Sequence, residues 1–276
     1  MIRYPQHAGT FYPDTKEGII EIFSKFEIQG KNTNVDVKTP IGLIAPHAGY
    51  IYSGFVAYIT YKNAFKSSEF SNIIILGPSH YVYFKGVSIF PEGSWVTPIG
   101  EVEINTKITL SLSQKSSYFS NSPDLHRREH SIEVQIPFVQ HFNPNAKIVP
   151  LLVGEMNDKM VDEVGQALAE VLLENQDTLI VASSDLYHGE SYRACVESDR
   201  NTIDLILNGD WRKFYAASKT GEIMACGDLP ISILMSAIER LNPDYTRSLV
   251  FYTNSGDVTG IRSGYVVGYA GILFGI

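Results

Sequence analysis

The chain has 276 residues with 44% hydrophobic and 19% charged side chains, a composition typical of a globular protein with a substantial core. The net charge of −8 argues against a nucleic-acid partner, because proteins that bind polyanions usually carry a basic excess. No apolar run approaches the ~18 residues that span a membrane and no signal peptide is recognisable, so we expect a cytoplasmic protein without a membrane partner.

Apolar runs and amphipathic patterns alternate along the chain, which predicts an α/β protein. Nearly continuous apolar runs indicate buried strands, over residues 40–45, 73–76, 146–153, 179–182, 249–252 and 264–274. Helical spacing predicts helices over residues 131–142, 160–172 and 229–241. Asp14 followed by Glu17 resembles a capping box for a first helix, and Pro- and Gly-containing residues 86–104 indicate short antiparallel strands. We therefore expect one three-layer α/β/α domain over residues 1–276, with a mixed, largely parallel sheet.

Three of the predicted strands end in a similar way, with a histidine within a few residues of the last apolar position. The first leads into His47, the second into His80, and the third into Asp185 and His188. Ligands of open α/β sheets bind beyond the carboxyl ends of the strands, so these side chains should meet at one edge. A single histidine after a strand is more often a turn residue, but three such endings favour a shared metal or acid–base site.

The cysteines have two interpretations. Cys226 directly precedes the helix predicted over residues 229–241, where the positive end of the helix dipole favours a reactive or metal-binding thiolate. The alternative is a small buried hydrophobic residue, which we prefer for Cys195 inside a helical stretch. Two cysteines exclude a disulfide framework but leave a single bridge open, and the simplest interpretation is free thiols in an intracellular protein.

Four further residues are candidates for the wall of a ligand pocket. His130 lies between carboxylates at a predicted helix start, where it either faces a pocket or is solvated. Phe11 and Tyr52 lie close in sequence to His7 and His47, and they form either a cleft wall or part of the core.

The motifs around these residues resemble those of the Memo family, named for the human mediator of ErbB2-driven cell motility. The matching segments follow the family's order and span nearly the whole chain: residues 7–12, 44–54, 75–80, 129–133, 150–154, 183–188 and 226–227. The pair Ala-Pro-His-Ala-Gly-Tyr at 45–50 and Leu-Gly-Pro-Ser-His at 76–80 is specific to that family.

The resemblance implies a fold shared with class III extradiol dioxygenases of the LigB type, which bind iron(II) with two histidines and a carboxylate. By position, His47 and His80 match the metal-ligand histidines and His188, with Asp185 beside it, matches the acid–base histidine. Cys226 stands where the dioxygenases have the carboxylate. A thiolate makes a site softer and shifts its preference towards copper(I) or zinc. The resemblance also implies that His7, Phe11, Tyr52 and His130 line the substrate pocket.

Three functions follow from this reading. The first is a metal-dependent oxidoreductase or redox protein with iron(II), or else copper or zinc, at His47, His80 and Cys226. The second is a non-catalytic protein whose cleft binds a small molecule or a phosphotyrosine-like peptide, although no arginine follows the strand-end motifs. The third is zinc-assisted hydrolysis. The resemblance further implies a radical-SAM protein and an AMMECR-type protein as partners.

Overall fold

The fold is organised around a nine-stranded mixed sheet, with a separate three-stranded sheet beside it. The computed structural model describes residues 1–35, 37–66 and 68–276. The strands are β1 (Ile2–Arg3), β2 (Pro40–Ala45), β3 (Asn72–Pro78), β4 (Val87–Ile89), β5 (Ser94–Thr97), β6 (Gly100–Glu103), β7 (Phe119–Asn121), β8 (Lys147–Val153), β9 (Thr178–Ser183), β10 (His188–Ser191), β11 (Thr246–Asn254) and β12 (Ser263–Gly275).

The helices cover both faces of the large sheet. They are α1 (Lys16–Gln29), α2 (Phe55–Lys66), α3 (Thr106–Lys115), α4 (Ile136–Phe142), α5 (Asp158–Glu174), α6 (Tyr192–Asn208), α7 (Trp211–Thr220), α8 (Asp228–Leu241) and α9 (Ser255–Thr259). A π-helical turn, Tyr50–Gly54, leads into α2, and a 3-10 turn, Glu133–Gln135, leads into α4. None of the helices in the described ranges is long and apolar enough to cross a bilayer.

The N-terminal cap of α1 differs from the sequence prediction. Thr15 is the capping residue, and its side chain accepts a hydrogen bond from the backbone N–H of Gly18. The capping role predicted for Asp14 is therefore wrong by one residue, because Asp and Thr are both good caps and the sequence offers them side by side.

The strand order in the large sheet is β10-β12-β2-β9-β3-β8-β4-β7, with β11 also paired to β12. The central strands β2, β9, β3 and β8 are parallel neighbours, whereas β12 is antiparallel to β2 and β4 is antiparallel to β8. The mixed α/β architecture is confirmed, and its parallel portion is the centre of the sheet plus the pair of β4 and β7. The region 86–104 contributes β4 to this sheet and the β5–β6 hairpin to the small one.

The central strands are apolar throughout because both of their faces are covered. In β3, Ile73 and Ile75 pack into one hydrophobic cluster with α1, α2 and α4, while Ile74 and Leu76 pack into a second cluster with α5, α7 and α8. This alternation follows from the two-residue period of a strand. It accounts for the predicted buried runs in β2, β3, β8 and β9, and it makes the centre of the sheet a rigid support for the residues that follow each strand. The buried strand predicted over residues 249–252 is only partly buried, with Leu249 37% exposed, because β11 pairs with β12 alone and lies outside the central strands.

The parallel arrangement brings three strand ends to one edge of the sheet. Ala45 at the end of β2 is aligned with Ser183 at the end of β9, and Leu76 of β3 is aligned with Ala182. Since β12 is antiparallel to β2, its first half lies at the same edge. The residues that follow β2, β3 and β9 therefore converge, as the strand-end argument predicts.

Candidate metal centre

Three histidines form a compact cluster at this edge of the sheet. One ring nitrogen from each of His47, His80 and His130 lies within 4.8 Å of the others. The rings of His80 and His130 stack with centroids 4.5 Å apart, and the His47 ring approaches each of them edge-on. Three imidazoles at this separation form a donor set that can hold a first-row metal ion.

Neighbouring hydroxyls fix the tautomer of His47. Its Nδ1 lies 2.9 Å from the Ser183 hydroxyl, whose proton is donated to the carbonyl oxygen of Ser131 at 2.6 Å. The hydroxyl must therefore accept from Nδ1–H of His47. This leaves Nε2 with the lone pair in the neutral ring, which is the atom that a metal ion needs.

A buried carboxylate fixes the tautomer of His80. Glu129 is 1% exposed, and its two oxygens lie 2.9 Å from Nδ1 and 2.7 Å from the backbone nitrogen of His80. Burial alone would raise the pKa of Glu129, but the hydrogen bonds that it accepts from the ring and backbone N–H groups of His80 and from the N–H of Ser131 hold that pKa well below its usual range. An ionised Glu129 accepts from Nδ1–H and leaves Nε2 of His80 as the available donor. Such outer carboxylates orient metal-binding histidines.

Burial keeps two of the imidazoles uncharged. The pKa of His47 lies well below its ordinary value because the ring is desolvated and faces His80. Desolvation, followed by the repulsion that a protonated His47 would exert, lowers the pKa of His130 as well. Both rings are therefore neutral at pH 7, the form in which imidazole binds metals.

Asp185 fixes the backbone turn that carries His47. Its Oδ1 accepts the backbone N–H of His47 at 2.8 Å and of Ala48 at 3.3 Å, and its side chain is almost fully buried. Desolvation raises the pKa of Asp185, although these hydrogen bonds oppose the shift. The carboxylate holds the turn after β2, and it also lines a cavity beside the cluster.

Cys226 contacts His47 but lies outside the histidine cluster. Its Sγ is 3.1 Å from Nε2 of His47 and accepts the N–H of Asp185 at 3.2 Å. Burial and the Asp185 carboxylate raise its pKa, so the predicted thiolate does not form by itself. The N–H of Gly227 at the start of α8 donates to the Ser184 hydroxyl, not to the sulfur. The role of Cys226 as third metal ligand stays a prediction.

His188 borders the cavity beside the cluster. Its Nδ1 lies 2.8 Å from the carbonyl oxygen of Leu186, which can only accept, so Nδ1 carries the proton. Nε2 is then the basic atom of the neutral ring. The acid–base role of His188 stays a prediction.

A cavity of about 560 Å³ opens next to the cluster. Five predicted site residues line it, together with the predicted wall residues Phe11 and Tyr52: His47, His80, His130, Asp185 and His188. His7 does not line the cavity: it packs against the edge of Phe11, and its Nε2 donates to the carbonyl oxygen of Arg128.

Two parts of the site are not predicted from the sequence: a further wall of the cavity and two supporting residues. The wall comes from α9 and the first half of β12, including Ser255, Tyr265 and Tyr269. The spacing of these residues in the sequence does not indicate that they line the cavity, because their position depends on the antiparallel pairing of β12 with β2. Glu129 and Ser183, which fix the two tautomers, do lie in the recognised motifs, and a carboxylate next to His130 was the available signal.

Known proteins are similar to this chain along almost its entire length. The family model described as "Memo-like protein" matches residues 3–273. A MEMO1 family protein of Nitrosopumilus maritimus is 37% identical over 279 residues, covering 99% of this chain and 100% of that protein. A MEMO1 family protein of Thermoplasma volcanium is 35% identical over 274 residues, with coverage of 99% and 98%.

A solved structure supports the architecture. The crystal structure of an uncharacterised protein of Escherichia coli K12 has a TM-score of 0.56 to this chain, with 12% sequence identity. The similarity covers 84% of this chain and 99% of the other. At this identity the comparison supports the α/β fold alone.

Proposed function

The chain belongs to the Memo family of Memo-like proteins, and on that premise we propose that it binds one metal ion at the cluster of His47, His80 and His130. One observation carries the proposal. The ring nitrogens lie within 4.8 Å of one another, and the Nδ1 atoms of His47 and His80 are already engaged by Ser183 and Glu129. Two Nε2 lone pairs are thus presented by side chains held in place.

The donor set fits the expected metals. Neutral imidazoles suit iron, copper and zinc alike, so the histidines do not choose among them. We propose iron(II), in line with the resemblance to extradiol dioxygenases, with copper or zinc as alternatives that elemental analysis separates. A bound iron or copper ion would supply Lewis acidity and a redox couple at the base of the cavity.

The surrounding residues support a small-molecule ligand beside the ion. The cavity volume of about 560 Å³ lies in the range of small-ligand pockets. Phe11 and Tyr52 give it an apolar wall, and Nε2 of His188 can accept a proton from a hydroxyl group of the ligand. We therefore propose a redox role for this site, with His188 as the proton acceptor and Asp185 as the residue that holds the His47 turn.

A cleft for phosphotyrosine-like anions is less well supported. Recognition of a phosphate needs positive charge or several donors, and burial keeps His47 and His130 neutral. Arg128 lies over the ring of Tyr81, 5.7 Å from its centroid, but does not line the cavity. The geometry thus favours a cation over an anion at the cluster. The radical-SAM and AMMECR-type partners stay a prediction.

Metal analysis of protein purified without oxygen tests the proposal. We expect one ion per chain in the wild type, a loss of that ion in His47→Ala and His80→Ala, and full retention in His141→Ala. His141 is a matched control because it packs against Phe23 and Phe142, away from the cluster. Equal metal content in all variants, or no stoichiometric metal in the wild type after titration, would refute the proposal.

A further inference from the structure

A second cavity reaches the candidate metal centre from the other side of His80. Its volume is also about 560 Å³, and it lies between residues 78–84, residues 153–155 and the first turn of α8. His80 borders both cavities, whereas Cys226 borders only the second. The centre therefore has two separate approaches.

We propose that the second cavity is the route by which the metal ion enters and leaves the centre. The first cavity is then left to the organic ligand, so that the ion and the ligand do not compete for one opening. This inference rests on the proposed metal-binding function, and the experiment below separates the failure of one from the failure of the other.

The sequence of donors along the second cavity supports a path for a cation. An ion entering there meets His80 and Cys226, which are more exposed than His47 and His130. The sulfur of Cys226 lies only 3.1 Å from Nε2 of His47. A transient ligand at that position can pass the ion to the buried imidazoles without leaving it bare, and bare ions in a protein interior are very costly.

The acidic side chains that line the two cavities also favour entry of a cation through the second one. Neither cavity has a lysine or arginine among its lining residues, but two carboxylates, Glu155 and Asp228, line the second cavity. Asp228 is ion-paired with Lys219, whereas Glu155 accepts a hydrogen bond from the Tyr83 hydroxyl. In the first cavity the acidic lining residue is Asp185, which is buried and engaged with backbone N–H groups. A negative mouth raises the local concentration of cations.

The size of the second cavity is also adequate. An ion with six waters occupies roughly 200 Å³, taking ~30 Å³ for each water in the liquid. The cavity volume of about 560 Å³ accommodates this hydrated ion before His80 and Cys226 replace its waters.

The decisive test blocks each approach in turn and measures metal exchange. Val82 is 39% exposed and lines the second cavity, and the exposed Ser263 lines the first. We would record association and dissociation of Co²⁺ alone by stopped-flow absorption for Val82→Trp and for Ser263→Trp. Both positions are on the surface, so both variants should fold, which circular dichroism can check.

A route, unlike a ligand, changes rates without changing affinity. We expect Val82→Trp to slow association and dissociation alike, each by about tenfold, with the same Kd and stoichiometry, while Ser263→Trp leaves both rates unchanged. Glu155→Gln gives an independent check: its association rate should fall about threefold at low salt and approach that of the wild type at high salt. Glu190→Gln, which removes an exposed carboxylate outside both linings, should have no effect.

The other outcomes contradict the inference. Slow exchange in Ser263→Trp with normal exchange in Val82→Trp would place the route in the first cavity. Normal exchange in both variants would show that neither opening limits access as proposed. An absence of Co²⁺ binding by the wild type would instead overturn the proposed metal-binding function, and it is recognised at equilibrium before any rate is measured.

Discussion

Nδ1 of His80 lies 2.9 Å from Oε1 of Glu129, and the second oxygen of the same carboxylate accepts the backbone N–H of His80 at 2.7 Å. The carboxylate thus fixes the backbone, the ring orientation and the tautomer of one histidine. It also accepts the N–H of His130 and of Ser131, so the segment that carries a second cluster histidine is held by the same group.

Glu129→Gln should weaken metal binding without removing it. The amide keeps the shape of the side chain but loses the charge that holds Nδ1 protonated, and loss of such an orienting partner typically costs 10- to 100-fold in affinity, so about that factor is expected here. Calorimetric titration with Zn²⁺ measures the effect. The partly exposed Glu163→Gln on α5 is the matched control, and equal affinities for the two variants would contradict the role assigned to Glu129.

Arg3 and Glu133 form a buried ion pair that attaches the N-terminal segment to the 3-10 turn before α4. Nη1 of Arg3 is 2.7 Å from Glu133, whose other oxygen accepts from the Tyr12 hydroxyl and the N–H of His7. Arg3→Met leaves the Glu133 charge buried without its cation. The free energy of unfolding in urea should fall by about 3–5 kcal/mol.

The exposed pair of Lys25 and Glu21 on α1 is the control for Arg3→Met. Its removal by Lys25→Met should leave the urea midpoint unchanged, because exposed pairs are screened by solvent. A small effect of Arg3→Met, similar to that of the control, would show that Glu133 becomes protonated or solvated at little cost.

His126 should make the fold sensitive to acid. Its Nε2 donates to the carbonyl oxygen of Ser88, and burial, followed by the charge of Arg3, lowers its pKa from 6.5 to about 3. Between pH 6.5 and about 3, His126 is therefore protonated in the unfolded chain but neutral in the folded chain. The stabilisation from a neutral His126 is complete above pH 6.5 and is lost as the pH falls towards 3.

The measurement is the free energy of unfolding as a function of pH for the wild type and for His126→Gln. The wild-type curve should be steeper in this window by up to about 1.4 kcal/mol per pH unit. The comparison uses slopes, so a constant loss of stability in the variant does not affect it. Parallel curves would show that His126 does not titrate as described.

The sequence was sufficient for the parts of the site that depend on local order. Buried strands followed by Gly, Pro and His must deliver those histidines to one edge if the strands are parallel, and His47 and His80 are placed in this way. The third strand end and the start of the helix over residues 229–241 also indicated Asp185, His188 and Cys226, and the resemblance to the Memo family added the roles expected of them. These inferences needed no knowledge of long-range register.

The remaining features depend on contacts between distant segments. The wall formed by Tyr265 and Tyr269 requires the antiparallel return of β12, and the position of His130 within the cluster depends on how the segment before α4 crosses the end of β3. The pKa of Cys226 is set by burial and by Asp185, against the helix-dipole argument that the sequence suggested. A local electrostatic rule fails when desolvation is the larger effect.

The third metal donor can be identified by spectroscopy. With His130 as the third donor, bound Co²⁺ should lack a sulfur-to-metal charge-transfer band in the wild type. His130→Ala should then reduce the affinity by at least about tenfold, while Cys226→Ser keeps both the affinity and the spectrum. This follows from the mutual 4.8 Å limit that His130 meets and Cys226 does not. If the wild type shows the band and Cys226→Ser removes it, the sulfur moves towards the ion on binding, and the family-based assignment of Cys226 is the correct one.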